Sequence, residues 1–276
     1  MWGSSPPARG SSPRVSISRS HRMVVPGRFE GRSAIVTGGG SGIGRAVARA
    51  LALEGAAITV AGRRPEALAE TVALIEAAGG QAVAVPTDVT DEDKVASLVA
   101  SAVDAFGGLD VAVNDAGVNR PGPVADLDAA DWESVLAVNL TGTWLSMKHE
   151  IRHMRSAGGG VIVNIASNIG AHARRAGMGA YVASKAGVSA LSRNAALEYV
   201  GDGVRINAVS PGPVDTPMSF RPGETRADRD ERLKKVNPSG RVATIEEIVD
   251  AVLWLASPQA AFVVGHDLVI DGGASA

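Results

Sequence analysis

From Ser33 onward the chain alternates short, almost wholly apolar runs with longer stretches in which apolar residues recur every three or four positions. The runs near 33–37, 57–62, 81–86, 109–114, 160–166, 204–209 and 267–271 have the length of strands. Most are continuously apolar, as strands buried on both faces should be. The stretches near 42–54, 65–78, 91–106, 126–156, 181–200 and 244–257 carry the helical period. Strand and helix in alternation build a parallel sheet with right-handed crossovers and helices on both faces. The pattern therefore predicts a single doubly wound α/β domain over residues 27–276, with seven mainly parallel strands. Ligands of such sheets gather at the carboxyl ends of the strands.

Composition narrows the class. A chain of 276 residues, 45% of them hydrophobic, can bury a substantial core as one domain. No run of eighteen apolar residues occurs, so no membrane span is expected. The absence of cysteine excludes disulfides and thiolate chemistry, which makes a reducing cytoplasm the default compartment. The five histidines show no ligand spacing, and no metal is expected. Charge is unevenly placed: 27 Lys and Arg stand against 29 Asp and Glu, but Arg9, Arg14, Arg19, Arg22 and Arg28 all precede the first acid, Glu30. The remainder holds 22 basic residues against 29 acidic ones, a charge of −7 that argues against a nucleic-acid partner. Residues 1–26, rich in Ser, Pro and Arg and without an apolar h-region, are expected to be a nonessential mobile tail rather than a targeting segment.

Two motifs carry chemistry. An apolar strand, Ser33 to Thr37, feeds the glycine loop Gly38-Gly39-Gly40-Ser41-Gly42-Ile43-Gly44, which opens a helix. Such a loop lets backbone amides and a helix N-terminus meet a pyrophosphate. The literal G-x-G-x-x-G spacing fails, because its third position would be Ile43. Further on, Tyr181 and Lys185 stand one helical turn apart and can address one bound molecule. A neighbouring ammonium favours the phenolate and would bring the tyrosine toward proton exchange with an alcohol or ketone.

These residues resemble the short-chain dehydrogenase/reductase family, whose nucleotide loop is Thr-Gly-x-x-x-Gly-x-Gly and whose catalytic signature is Tyr-x-x-x-Lys. Thr37, Gly38, Gly42, Ile43 and Gly44 match the loop. Asp88-Val89, Asn114-Asp115-Ala116-Gly117, Asn139, Ser167, Pro211-Gly212-Pro213-Val214-Asp215-Thr216 and Asp271-Gly272-Gly273 follow in the family's order, so the resemblance spans about residues 27–276. It implies a Rossmann-like fold and an NAD(P)-dependent oxidoreductase interconverting a carbonyl and a secondary alcohol. Tyr181 would be general acid and base, Ser167 would hydrogen-bond the substrate oxygen, Lys185 would also hold the nicotinamide ribose, and Asn139 would fix a water leading from Lys185 to solvent. Gly38, Ser41, Gly42, Ile43, Gly44, Arg63, Asp88, Val89, Asn114, Ala116, Gly117, Tyr181, Lys185, Pro211, Gly212, Val214 and Thr216 would contact the cofactor. The resemblance further implies a homotetramer built from the 126–156 and 181–200 helices and the last strand, with Leu136, Leu140, Trp144, Leu145, Leu191 and Leu197 as apolar contacts or as plain core.

At the end of the second strand the family's acid, which would grip a ribose 2′-hydroxyl, is replaced by Gly62, followed by Arg63 and Arg64. That exchange removes repulsion against a 2′-phosphate and supplies a guanidinium for it, so NADP(H) is preferred, with NAD(H) possible. Ser41 lacks the basic side chain of many NADP-using relatives. Asp115 stands where relatives commonly show a second asparagine, a local change in hydrogen bonding. Between Ser167 and Tyr181 lies a loop one residue longer than usual, carrying His172, Arg174 and Arg175, which either face an anionic substrate or are solvated loop charges. Residues 218–235 predict a lid whose Met218 and Phe220 cover an apolar pocket while its charges face water. A small-molecule carbonyl or alcohol is the expected substrate. A 3-oxoacyl carrier-protein thioester is an alternative, weakened by the acidic end Glu198-Tyr199-Val200-Gly201-Asp202 of the Tyr/Lys helix. A nonenzymatic dinucleotide sensor would be expected to have lost Tyr181 or Lys185, and both are present.

Overall fold

The computed structural model describes residues 27–276 except 222 and 236, so the extension expected over 1–26 lies outside the described residues. Seven strands, β1 Ser33–Thr37, β2 Ala57–Gly62, β3 Gln81–Pro86, β4 Val111–Asn114, β5 Gly160–Ile165, β6 Val204–Pro211 and β7 Asp267–Ile270, form one sheet in the order 3-2-1-4-5-6-7. Every adjacent pair is parallel. The connection reverses direction between β1 and β4, which opens a crevice above their carboxyl ends. Helices α1 Gly42–Leu53, α2 Pro65–Ala77 and α9 Ile245–Ala256 pack on one face around Val36, Leu51, Ile58, Val209 and Leu253. Helices α3 Glu92–Phe106, α5 Gly142–Ala157 and α7 Gly179–Tyr199 pack on the other around Ile35, Leu98, Met147, Ile162 and Ile206. The central strands are buried end to end, which is why they show no alternation. Edge strand β3 is exposed at every second or third position.

The long helix expected over 126–156 is divided. Helix α4, Ala129–Leu136, passes through one wide π turn, Ala137–Thr141, into α5. Such turns cluster where a side chain must be re-aimed, and this one holds Asn139. A four-residue turn, α6 Asn168–Ala171, and α8, Arg226–Lys234, lie in segments expected to be loops. Helix α8 is strongly polar and has no apolar stripe for sequence periodicity to detect. Its start is nonetheless marked by Thr225, whose hydroxyl accepts a hydrogen bond from the Asp228 N–H.

One core contact has a pH signature. Glu150 of α5 is 1% exposed and has no cationic partner among the described residues. Its carboxyl accepts a hydrogen bond from Asn114 Nδ2 at 3.0 Å, and Asn114 in turn binds Asn164 Oδ1, whose amide reaches Ser192 on α7. Burial pushes Glu150 from 4.5 up to about 7, and the single amide donor only partly opposes it. Because the folded carboxyl holds its proton above the unfolded value, the folded state gains stability on acidification. That gain is complete near pH 4.5 and is lost as pH rises through about 7. Glu150→Gln should therefore match the wild type near pH 5 and exceed it at pH 8, by up to about 3 kcal/mol in urea unfolding followed by tryptophan fluorescence. Equal pH dependence of the two proteins would mean that Glu150 is ionised in the folded state.

Candidate active site

A cleft of about 340 Å³ opens above β1 and β4, lined by Gly38, Gly40, Ser41, Gly62, Arg63, Arg64, Thr87, Asp88, Val89, Ala116, Gly117, Val118 and Val138 among others. Seven of the residues expected at a cofactor from sequence thus line it, Gly38, Ser41, Arg63, Asp88, Val89, Ala116 and Gly117, and Gly42 follows Ser41 in the loop. The glycine loop owes its shape to two close approaches. Gly38 has φ +69°, and a Cβ there would lie 2.9 Å from Ala116 N. A Cβ on Gly44 would meet Gly38 O at 2.5 Å and Asp115 Oδ2 at 2.8 Å. Ser41 makes no side-chain cap and α1 has no acid in its first turn, so the positive end of the helix dipole is left for an anionic ligand.

Across the loop lies the segment after β6. Pro211 ends that strand, Gly212 N–H donates to Ile270 O, Val214 is buried, and Thr216 Cγ2 sits 3.8 Å from where a Cβ on Gly42 would be. Asn114 is placed differently. Its side chain turns away from the cleft into the Glu150 and Asn164 network. Thr87, Val118 and Val138 line the cleft without having been picked out from sequence, although Val118 directly follows Gly117 and Val138 directly precedes Asn139.

At the end of the cleft the four residues of the expected catalytic set converge. Asn139 is fully buried in its π turn. Its Oδ1 accepts from Val118 N–H at 2.8 Å, while its Nδ2 donates to Val118 O at 2.9 Å and to Ser184 Oγ at 3.0 Å. This double bond pattern ties α4–α5 to the loop after β4 and to α7. Lys185 Nζ donates to Ile165 O at 2.6 Å and lies 6.0 Å from the Tyr181 ring centroid. Gly117 leaves room there, since a Cβ would stand 3.7 Å from Lys185 Nζ and 3.5 Å from Asn139 Oδ1. Ser167 caps α6 by accepting the Ile169 N–H at 3.2 Å.

The electrostatics differ from the simple expectation that Lys185 lowers the Tyr181 pKa. Burial holds the phenol above its ordinary value, the Ser167 hydroxyl pulls it down, and the charge of Asp115 raises it. Burial also lowers Lys185 from 10.5 to about 8, opposed by the attraction of Asp115. Asp115 itself is raised from 3.8 to about 7 by burial, while Lys185 and the Gly44 N–H, 2.8 Å from its Oδ2, favour its charged form. Asp115 is therefore more than a local change in hydrogen bonding. It joins the first turn of α1 to the charge balance of Lys185 and Tyr181.

The lid also departs from expectation, because its charges do not all face water. Arg229 of α8 is 1% exposed, stacks 4.5 Å over the Phe220 ring, and donates to Asp215 Oδ1 at 2.6 Å and to Ser219 Oγ at 3.1 Å. Arg226 holds the other oxygen of Asp215 at 2.8 Å. Asp215 belongs to the loop after β6, so α8 is clamped onto the segment that faces the glycine loop. Met218, by contrast, is 54% exposed.

Comparison with known proteins follows the same lines. Residues 38–275 match the family model described as enoyl-(acyl carrier protein) reductase. The chain is 46% identical over 250 residues to a cis-4-hydroxycyclohexanecarboxylate dehydrogenase of Sinomonas cyclohexanicum, covering 90% of this chain and 98% of that one. It is 40% identical over 253 residues to a 2,5-dichloro-2,5-cyclohexadiene-1,4-diol dehydrogenase of Sphingobium indicum, covering 90% and 98%. A crystal structure of 7α-hydroxysteroid dehydrogenase, complexed with NADH and 7-oxo glycochenodeoxycholic acid, superposes with a TM-score of 0.83 at 32% identity over 89% of this chain and 95% of that one. The ordered motifs, the seven-stranded parallel sheet and these matches together make the chain a member of the short-chain dehydrogenase/reductase family, whose members use nicotinamide dinucleotides.

Proposed function

We propose that this protein is a dehydrogenase that interconverts a cyclic secondary alcohol and its ketone, with NADP(H) as the preferred cofactor. The observation that carries the proposal is the meeting of the Tyr181 phenol, the Ser167 hydroxyl and the buried Lys185 ammonium at the inner end of a cleft with a glycine floor. A nicotinamide dinucleotide held by the glycine loop and the cleft walls would supply the hydride acceptor for alcohol oxidation and the hydride donor for ketone reduction. Tyr181 accepts the hydroxyl proton of the alcohol, or gives a proton to the ketone oxygen, and Ser167 hydrogen-bonds that oxygen as charge develops. Lys185 holds positive charge beside the phenol, while Asn139 fixes the loop after β4 against α7 and so the distance between lysine and cleft. The relatives named above act by their names on ring alcohols and diols, which favours a ring substrate over an acyl thioester. We further assign this chain to a homotetramer, for which exposed Leu197 and Trp144 on α7 and α5 offer contact. Leu145 is buried and belongs to the core instead.

The residues fit a dinucleotide with a 2′-phosphate. A Cβ on Gly62 would touch only Leu68 Cδ2, at 3.4 Å, so the absent acid leaves space, and Arg63 and Arg64 border it. Arg63 meets one carboxylate there, Asp88, which also accepts from the Thr90 N–H and hydroxyl. In fluorescence titration, Arg63→Ala should weaken NADPH binding about tenfold and leave NADH binding within about threefold. Gly62→Asp should invert the preference, because its carboxylate repels a 2′-phosphate and accepts from a 2′-hydroxyl. Unchanged NADPH-to-NADH ratios in both variants would assign the enzyme to NAD(H).

A phenol held above its ordinary pKa keeps its proton at neutral pH. Ketone reduction should thus run on a plateau through neutral pH, and alcohol oxidation should climb with alkalinity. Asp115→Asn keeps an acceptor for the Gly44 N–H and deletes only the charge that raises both Tyr181 and Lys185. Both pH limbs should then move to lower pH. Tyr181→Phe should lower kcat by roughly a thousandfold with cofactor affinity kept. A wild type that binds NADPH firmly yet turns over no cyclic alcohol or ketone would instead be a dinucleotide sensor.

A further inference from the structure

The turn that begins at Ser167 is tied to the last strand at two places that the chemistry above does not use. Residues 168–173 close on themselves: Ala173 N–H donates to Asn168 O at 2.7 Å, and Gly170 N–H to Ala173 O at 3.1 Å. Of the basic side chains expected in this loop, Arg174 donates to the carbonyls of Gly170 and Ala173 and so braces the turn. His172 does something else. Its Nε2 lies 2.8 Å from Oδ2 of Asp267, the first residue of β7. Asn168, 4% exposed, donates through Nδ2 to Asp271 Oδ2 at 3.1 Å, just past the other end of that strand. The turn is also pressed onto α7, since a Cβ on Gly170 would stand 3.2 Å from Lys185 Cβ.

Asp267 makes a firm anchor. Its side chain is fully buried, and its Oδ1 accepts from Ser210 Oγ of β6 at 2.6 Å. Arg193 of α7 stands 3.8 Å from the other oxygen, Oδ2, on the exposed side. Burial works against the charge of this carboxyl, yet hydrogen bonds from Ser210 and His172 hold it below its ordinary pKa, so it stays an acceptor. A carboxylate acceptor requires the ring proton on Nε2, which fixes how the imidazole is turned. A hydrogen bond to a charged group out of water is also stronger than one between neutral groups at the surface. The Ser167 turn therefore hangs on the sheet as well as on its own two ends.

We propose that His172 is a positioning residue for the Ser167 hydroxyl, holding the turn that begins at Ser167 to the buried Asp267 of β7. A serine side chain has a single heavy-atom torsion, so where its hydroxyl stands is decided by where its backbone stands. Misplacing a group at a reacting centre by 1 Å can cost about a hundredfold in rate. The inference rests on the dehydrogenase function proposed above and deepens it, by adding a residue that acts through Ser167 and does not itself line the cleft.

The test is a double-mutant cycle over wild type, His172→Ala, Ser167→Ala and the double variant, with cyclohexanol and cyclohexanone as probes. His172→Ala should lower kcat about tenfold and leave NADPH affinity within about twofold, while Ser167→Ala should lower kcat about a hundredfold. The double variant should match Ser167→Ala, because without the hydroxyl there is nothing to position. His172→Gln, whose amide can donate to Asp267 over a similar reach, should recover most of the loss. An unchanged kcat in His172→Ala, or the same further loss in the Ser167→Ala background, would overturn the positioning role. Titration of the phenol gives a readout independent of turnover, since Tyr181 and Tyr199 are the chain's two tyrosines. In a Tyr199→Phe background, phenolate absorbance should show Tyr181 titrating at higher pH in both Ser167→Ala and His172→Ala, because the Ser167 hydroxyl lowers that phenol, and no higher in the double variant. That shift supports the positioning role even if no cyclic alcohol is oxidised, a result that would sink the dehydrogenase function alone. Coincident titrations of wild type and His172→Ala overturn it even if cyclohexanone is reduced well.

Discussion

Everything near the cleft is arranged around one demand, that an ammonium stay charged while almost out of reach of water. Burial alone drives Lys185 toward neutrality, and two features oppose it: the Ile165 carbonyl that accepts from Nζ and the negative charge of Asp115. Both come from the carboxyl ends of neighbouring strands, β5 and β4, where a parallel sheet gathers its loops. The helix that carries the lysine must approach closely for this, and glycines permit it. A Cβ on Gly170 would lie 2.9 Å from Ala186 N and 3.1 Å from the Lys185 carbonyl carbon. The same Asp115 carboxylate holds the Gly44 N–H, so the opening of α1 and the charge state of the lysine are mechanically one unit.

A second principle concerns which charges the fold consumes. Arg205 donates to four carbonyls around the end of α9, and Arg45 to Gly40 O, Ala67 O, Thr71 and Glu70 beneath the glycine loop. Arg229 is deeply buried, yet Asp215 and Asp230 neutralise it. These are structural cations, each recognisable by a full set of acceptors.

The sheet was legible in sequence because its strands are buried on both faces, so that continuous apolar runs end within two residues of the observed bounds. The long α7 was equally plain, as its Tyr181 and Lys185 are linked by helical spacing alone. What remained hidden depends on contacts between distant segments. Nothing in Ala137–Thr141 announces a π turn, since the turn answers to Asn139 reaching the Val118 backbone 21 residues away. Nor does Asn114 show from sequence that it faces Glu150 rather than the cleft, because a strand residue at the sheet's end can turn either way, and the buried carboxyl 36 residues later decides it.

Helix α8 illustrates the limit most clearly. Its segment, Arg226-Ala227-Asp228-Arg229-Asp230-Glu231-Arg232-Leu233-Lys234, is almost wholly charged, and by pattern alone it belongs in water. Its inward face holds one apolar residue, Leu233, beside the buried Arg229, with Asp215 serving as the receptor for the arginine. A lid fixed by an ion pair to the loop after β6 can be released without exposing a hydrophobic stripe, which suits a cover that must open for each substrate. The same composition that conceals the helix from periodicity thus makes it separable from the core.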